Sequence, residues 1–345
     1  MRRGADEDGY RAIRASVALR TLPELRCLQL TGRAAFDALD AVCPCDLFLR
    51  SGELRPTVLL RDSGVVFADA CVCREGDTGY LLVYGPEADE CAAWIRGHVP
   101  EGADFRIIDL GESHEAVSID GPYAWELCGE VFGSEVVGLP PLGVMDLGGT
   151  VLFRIERTGE YGYCALVPRE DWNTSLDDEI RTRGKDFELG HADEAAWSQC
   201  LLENLSFDMN HEGRLGLTPM ELQLQWRLSS RKQGYPGAEA IGSIRRSGWD
   251  RRVTLFSTQS EVVAGADVIC DGEPVGEVLV CGYSPGRGDH VGKALIQRPY
   301  WHAGLDDFRV GTGVLATISA PAVRALSMAV SPFRDSFHTR RDDVP

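Results

Sequence analysis

Asp69 is the one charge in an otherwise apolar, strand-like segment, Val65–Cys73. A carboxylate buried and unpaired there costs several kcal/mol, so Asp69 is expected to be exposed, hydrogen-bonded or chemically employed. If it stands unpaired, asparagine in its place leaves stability unchanged or raises it. A second carboxylate, Glu160, falls at the tip of Thr158-Gly-Glu-Tyr-Gly162. A solvated turn acid is the plain reading there, although one carboxylate can also accept two adjacent N–H donors side by side. Cys43-Pro-Cys45 and Cys71-Val-Cys73 are the close thiol pairs. A one-residue spacer with no matching second half is not zinc spacing. In a strand, positions 71 and 73 share one face, as core packing requires. The cysteines number 11, an odd count, and lie mostly in apolar segments. They read as free buried thiols. The seven histidines do not cluster at ligand spacing, and no metal is expected.

These groups need elements to hold them. Strand patterns run over Arg26–Thr31, Pro56–Leu60, Val65–Cys73, Tyr80–Tyr84 and Ala116–Ile119. Short helices are expected from Gly32 and over Pro86–His98, where Ala88, Cys91, Ala92 and Ile95 recur at helical spacing. Asp120-Gly-Pro122 leads into a helix over Tyr123–Val131. Val151–Arg157 and Tyr163–Val167 flank the Glu160 turn as a hairpin, and helices follow at Trp172–Arg183 and Ala192–Leu205. From about Val253 the pattern changes to short strands punctuated by Gly, Pro and Asp, which predicts an all-β module. The basic run from Ile244 to Arg252 reads as a linker, and residues 1–12 and 334–345 as frayed tails.

With 345 residues, 44% hydrophobic and 26% charged, the chain suits two or three globular domains. A net charge of −18 argues against a nucleic-acid partner. No apolar stretch is long enough to span a membrane, and the N-terminal residues lack the apolar core of a secretory signal. A cytoplasmic protein is expected.

Several segments together resemble the folate-dependent aminomethyltransferase family, the T-protein of glycine cleavage and its relatives, which include tetrahydrofolate-dependent demethylases. The segments are Leu28-Gln-Leu-Thr-Gly-Arg-Ala-Ala-Phe, Gly64-Val-Val-Phe-Ala-Asp69, Val117-Ser-Ile-Asp-Gly-Pro-Tyr-Ala124 and Arg157-Thr-Gly-Glu-Tyr-Gly-Tyr163. A long block from Leu202-Glu203 through Thr218-Pro-Met-Glu221, Trp226, Lys232 and Tyr235 to Ala240 continues the likeness. The tail fits too, with Asp271-Gly-Glu-Pro-Val-Gly276 and Tyr283-Ser-Pro285. Coverage is about residues 15–330. The chain departs from the family's common pattern at Leu201, Pro56 and Tyr84, where arginine, tyrosine and asparagine are usual.

The resemblance implies an α+β fold of three domains. Two interleaved α+β lobes are expected, one from residues 1–32 and 115–203, the other from 33–114 and 204–245. A C-terminal β domain, barrel-like, takes 246–345. It implies a tetrahydrofolate-dependent transferase moving a methyl or aminomethyl unit to or from a small molecule. The alternative is a non-catalytic folate-binding accessory protein of the iron–sulfur-cluster maintenance type. That branch has a cysteine where this chain has Gly234, and tends to lack the aspartate present at 69. The family pattern implies that Asp69 is the catalytic group, beside the reduced-pterin nitrogen. It places Glu160 on the pterin's paired N–H donors, with Tyr163 a stacking neighbour. Tyr84 and Trp226 would line the cavity, Glu203 would support it, and Lys232 and Tyr235 would close the folate side.

Overall fold

The computed structural model describes residues 7–329 of the chain. Two antiparallel-rich sheets lie face to face, and each is covered by helices on its outer side. In the six-stranded sheet the spatial order is Gly190–His191, Ala18–Thr21, His114–Asp120, Gly162–Pro168, Val151–Arg154 and Val144–Asp146. In the five-stranded sheet it is Glu53–Leu60, Val66–Glu75, Thr78–Tyr84, Leu25–Thr31 and Arg106–Asp109. The residue alternation of each strand explains the layering. Along Gly162–Pro168, Cys164 and Leu166 face the inner core with Leu82, Tyr80 and Trp197. Tyr163, Ala165 and Val167 face outward against helix Ala124–Phe132. The outer side of the five-stranded sheet buries Leu28, Leu30, Ala70 and Val72 under helices Ala35–Val42 and Ala88–Gly97. Tyr80 meets Phe153 edge-on across the two sheets, ring centroids 6.1 Å apart.

The lobes interleave, but the crossing comes earlier than residue 32. Strand Leu25–Thr31 pairs with Thr78–Tyr84 and Arg106–Asp109, with Leu28 opposite both Leu81 and Asp109. The chain changes sheet at the turn Leu22–Glu24, which follows strand Ala18–Thr21 of the six-stranded sheet. The return crossing falls between Asp109 and His114. At Gly121 the backbone has φ +139°, and a Cβ would sit 2.3 Å from the Ser16 carbonyl, so this turn beside the first strand demands glycine.

The C-terminal strands close into a six-stranded barrel, in the order Arg251–Thr258, Asp289–Gln297, Glu273–Ser284, Asp267–Cys270, Phe308–Val310 and Gly313–Thr317. Phe256, Val268, Val278 and Phe308 fill it. A Cβ at residue 292 would lie 2.2 Å from the Phe256 ring, so Gly292 is what lets that ring occupy the centre. The basic run at 244–252 is not a linker. It is the end of helix Ala238–Ser247, a turn at Gly248 and the start of the first barrel strand. Likewise residues 7–12 are not a frayed tail. Helix Glu7–Ala15 buries Tyr10 and Ile13 and packs along helix Glu194–Glu203. Residues 1–6 and 334–345 lie outside the described part. Among the described residues no helix is long and apolar enough to cross a membrane.

Candidate active site between the lobes

A pocket opens where the two sheets meet. Cys71, Leu82 and Tyr84 line it from the five-stranded sheet, and Ser118 and Cys164 line it from the six-stranded one. Leu22 and Leu25 from the crossing turn, Trp197 from its helix and Arg157 complete the wall. The space open to the centre of a water molecule is only about 20 Å³, room for about one water. The walls are mostly apolar, with Ser118 the small polar residue and Arg157 the one charge. Arg157 lies over the Tyr84 ring, its guanidinium carbon 4.3 Å from the ring centroid, within cation–π distance.

Asp69 anchors that cation. It is 1% exposed, and its carboxylate is clamped between two guanidiniums. Arg157 donates from Nη1 to one oxygen at 2.9 Å, and Arg227 donates to the other. Arg157 also donates from Nη2 to the Phe207 carbonyl at 2.9 Å, and Arg227 reaches the Thr57 carbonyl at 3.4 Å. Burial alone would lower the Arg157 guanidinium, yet Asp69 beside it holds its pKa above the usual arginine value. Burial pushes the Tyr84 phenol up, against the pull of Arg157. Arg157 Nε is buried with no hydrogen-bond partner, as are Arg227 Nε and Arg14 Nε.

Asp120 is a second carboxylate close to this wall. It is buried, accepts from the Ser118 hydroxyl, and lies 3.5 Å from the Thr158 hydroxyl. Burial raises its pKa to about 7, with those hydroxyls, Arg20 and Arg157 pulling the other way.

The other expected site residues lie elsewhere. Glu160 is 1% exposed but is not on the pocket wall. Its oxygens accept the backbone N–H groups of Leu326 at 3.1 Å and Ser327 at 2.8 Å, and the Ser327 hydroxyl at 2.6 Å. The paired N–H donors expected from a pterin are thus supplied by the chain's own C-terminal segment. Tyr163 faces the outer core, because alternation along its strand puts Cys164 on the pocket side instead. Glu203 is fully buried in a junction with Tyr10 (3.0 Å), Arg14 (2.6 Å), Gln199 (3.3 Å) and Ser284 (2.7 Å). Trp226 is 64% exposed, with Arg227 stacked on it at 5.0 Å. Lys232 donates to Asp40 at 2.6 Å and to the Cys45 carbonyl at 3.0 Å. Tyr235 is buried in the cluster with Leu60 and Ile241. Tyr84 alone of the eight lines the pocket, and Asp69 reaches it through Arg157.

Arg157, Arg227, Asp120 and Trp197 are site residues that the sequence reading missed. Asp120-Gly-Pro122 was visible as a turn, and a buried acid ending an apolar strand was its available signal. Nothing local in the sequence ties Arg227 to an aspartate 158 residues away.

Residues 3–232 match the family model described as the GCVT N-terminal domain, which spans both lobes. The chain is 26% identical over 307 residues to an aminomethyltransferase of Synechococcus sp. (strain CC9902), covering 83% of this chain and 81% of that one. With an aminomethyltransferase of Synechococcus sp. (strain RCC307) it shares 28% identity over 291 residues, covering 80% and 78%. The fold superposes with a TM-score of 0.79 on the crystal structure of glycine cleavage system aminomethyltransferase T from Bartonella henselae. That match covers 92% of this chain and 89% of the other at 19% identity. The interleaved lobes, the closing barrel and a family match over two thirds of its length make this chain a member of the GCVT, aminomethyltransferase-like family.

Proposed function

We propose that the protein is a one-carbon transferase, moving a methyl or aminomethyl unit to or from a small molecule seated in the inter-lobe pocket. One observation carries the reading. A buried guanidinium, fixed by Asp69 and lying on Tyr84, is the one charged group on the pocket wall where the two lobes meet. Arg157 would take a carboxylate or carbonyl of the substrate, and the apolar walls would exclude water. In this reading Asp69 holds Arg157 and Arg227 in place.

Tetrahydrofolate is the one-carbon carrier that family membership implies. The pocket as it stands does not fit a reduced pterin. Its space is about 20 Å³, far below the roughly 300 Å³ or more of a ligand site. The pterin's amino and ring N–H groups need an acceptor, and no carboxylate lines the wall. Glu160 is taken by Leu326 and Ser327. No catalytic step is therefore assigned through folate.

The non-catalytic alternative, a folate-binding accessory protein, is favoured by a different observation. Two guanidiniums each take one oxygen of Asp69, so its charge is spent on holding them rather than on proton transfer at the pocket. Thermal unfolding with tetrahydrofolate, 5-methyltetrahydrofolate and folinic acid tests the carrier. Folate-dependent transfer requires that at least one of them raises Tm. If none does, both folate readings fall, and the pocket is left to a smaller acceptor-bearing ligand.

A further inference from the structure

Lys293 belongs to barrel strand Asp289–Gln297, yet it is only 2% exposed. Alternation along that strand explains where its side chain goes. Ala294 and Ile296 fill the barrel, and Gly292 makes room there for the Phe256 ring. Val291 and Lys293 face the lobes instead, Val291 packing with Leu202. An ammonium group at such a seam is costly unless it is paired. Lys293 meets the carboxylate of Glu212, itself buried, and donates from Nζ to the Ser206 carbonyl at 2.7 Å.

The segment that Lys293 grips is the one that holds Arg157. The Ser206 hydroxyl donates to the Arg157 carbonyl at 2.6 Å, and Asn204 Nδ2 donates to the same carbonyl at 3.1 Å. The Phe207 carbonyl accepts Arg157 Nη2 at 2.9 Å. Residues 204–207 therefore fix Arg157 at both ends, its backbone through two side chains and its guanidinium through a carbonyl. The carbonyls of Ser206 and Phe207 are consecutive, and each takes one cation, Lys293 from the barrel and Arg157 from the pocket. Each cation has its own carboxylate, Glu212 for Lys293 and Asp69 for Arg157, which lets the two stand so close. Only the φ and ψ rotations of Phe207 separate the two carbonyls, so pinning the first restricts where the second can point.

We propose that Lys293 is a positioning residue for the pocket cation: through the Ser206 and Phe207 carbonyls, the barrel sets the orientation of the Arg157 guanidinium. The role rests on the reading of Arg157 as the group that holds the substrate. It makes the barrel a working part of the site, although the pocket wall is drawn from the two lobes. A barrel that shifts on its seam then alters the donor offered to a ligand without changing any side chain on the wall.

The test uses the full-length protein carrying isotope-labelled arginine and reads the guanidinium by NMR with no ligand present. Nη1 on Asp69 and Nη2 on the Phe207 carbonyl are different environments, so a clamped Arg157 gives two resolved Nη signals. Their loss in Arg157→Lys identifies them. Lys293→Met should merge the two by speeding guanidinium rotation roughly five-fold or more, the effect of one lost hydrogen bond. Arg20, held by Glu24 and Glu194 through its two Nη atoms, should keep its signals and so report that the lobes remain folded. Val291→Ala loosens the same face of the barrel without touching the Lys293 bonds, and should leave the Arg157 pair resolved. The proposal is overturned if Lys293→Met leaves the pair resolved at the wild-type rotation rate, or if Val291→Ala merges it as fully. Should Lys293→Met not fold with Glu212 left unpaired, the double variant Lys293→Met, Glu212→Leu removes both charges and decides by the same readout. The readout needs no ligand, so failure of this proposal and failure of the one-carbon reading in the folate melting series are separate results.

Discussion

Two buried acidic centres in this molecule solve the same problem in opposite ways. At the pocket a single carboxylate, Asp69, faces two arginines, and the local balance is positive. At the domain junction two carboxylates, Glu160 and Glu203, share one arginine, Arg14, 3.5 and 2.6 Å away. The surplus negative charge there is met by neutral donors: Tyr10, Gln199, Ser284 and the Leu326 and Ser327 N–H groups. A centre with no cavity beside it is a joint. A centre whose guanidinium lines a cavity is a place for a ligand. The contrast separates Glu160 and Glu203, held by the chain's own groups, from Arg157, which lines the pocket.

The sharpest way to break this contrast is Asp69→Asn. It leaves two buried guanidiniums facing a neutral amide, so stability should fall by about 3–5 kcal/mol in urea unfolding. The expectation drawn from an unpaired Asp69, that asparagine relieves the fold, is thereby reversed. If turnover is assayed, it should fall by roughly 10²- to 10⁴-fold once Arg157 loses its anchor. Unchanged stability would mean that the clamp does not exist in solution.

A pH series on Asp120 sharpens the comparison further. Burial raises its folded pKa from the ordinary aspartate value of 3.8 to about 7. Its contribution is therefore fully present below about pH 4 and is lost as pH rises through about 7, on the order of 4 kcal/mol in all. Asp120→Asn should abolish that decline and make the protein more stable than wild type at pH 8. A wild-type Tm that rises between pH 5 and 8 without any component removed by Asp120→Asn would refute the assignment.

The smallest effect is expected at the joint. Glu203→Gln keeps a side chain that Tyr10 and Ser284 can still bond but removes the charge facing Arg14. A loss of about 2 kcal/mol is expected, with ligand binding at the pocket untouched. A change in ligand affinity larger than the stability loss would mean that joint and pocket are one unit.

Local pattern carried much of the fold. Apolar spacing marked the helix at Ala88–Gly97, and alternation marked the strands at Val66–Glu75 and Thr78–Tyr84. The lobe boundary at residue 32 came out too late, because strand Leu25–Thr31 reads the same whichever sheet receives it. The candidate site was less legible. Its side chains come from strands far apart in sequence, and one residue of register separates Cys164 on the pocket from Tyr163 behind the sheet. Glu160 was found as a special acid, but its partner segment lies more than 160 residues downstream, where no local pattern announces it.

The Glu203 junction also imposes an order on synthesis. Tyr10 and Arg14 are made well before Glu203, and Ser284 follows it by 81 residues. Until then the Glu203 carboxylate has its N-terminal partners but lacks the hydroxyl that completes its shell. A nascent or truncated chain ending before the barrel thus holds a carboxylate one donor short at the seam where the barrel later docks.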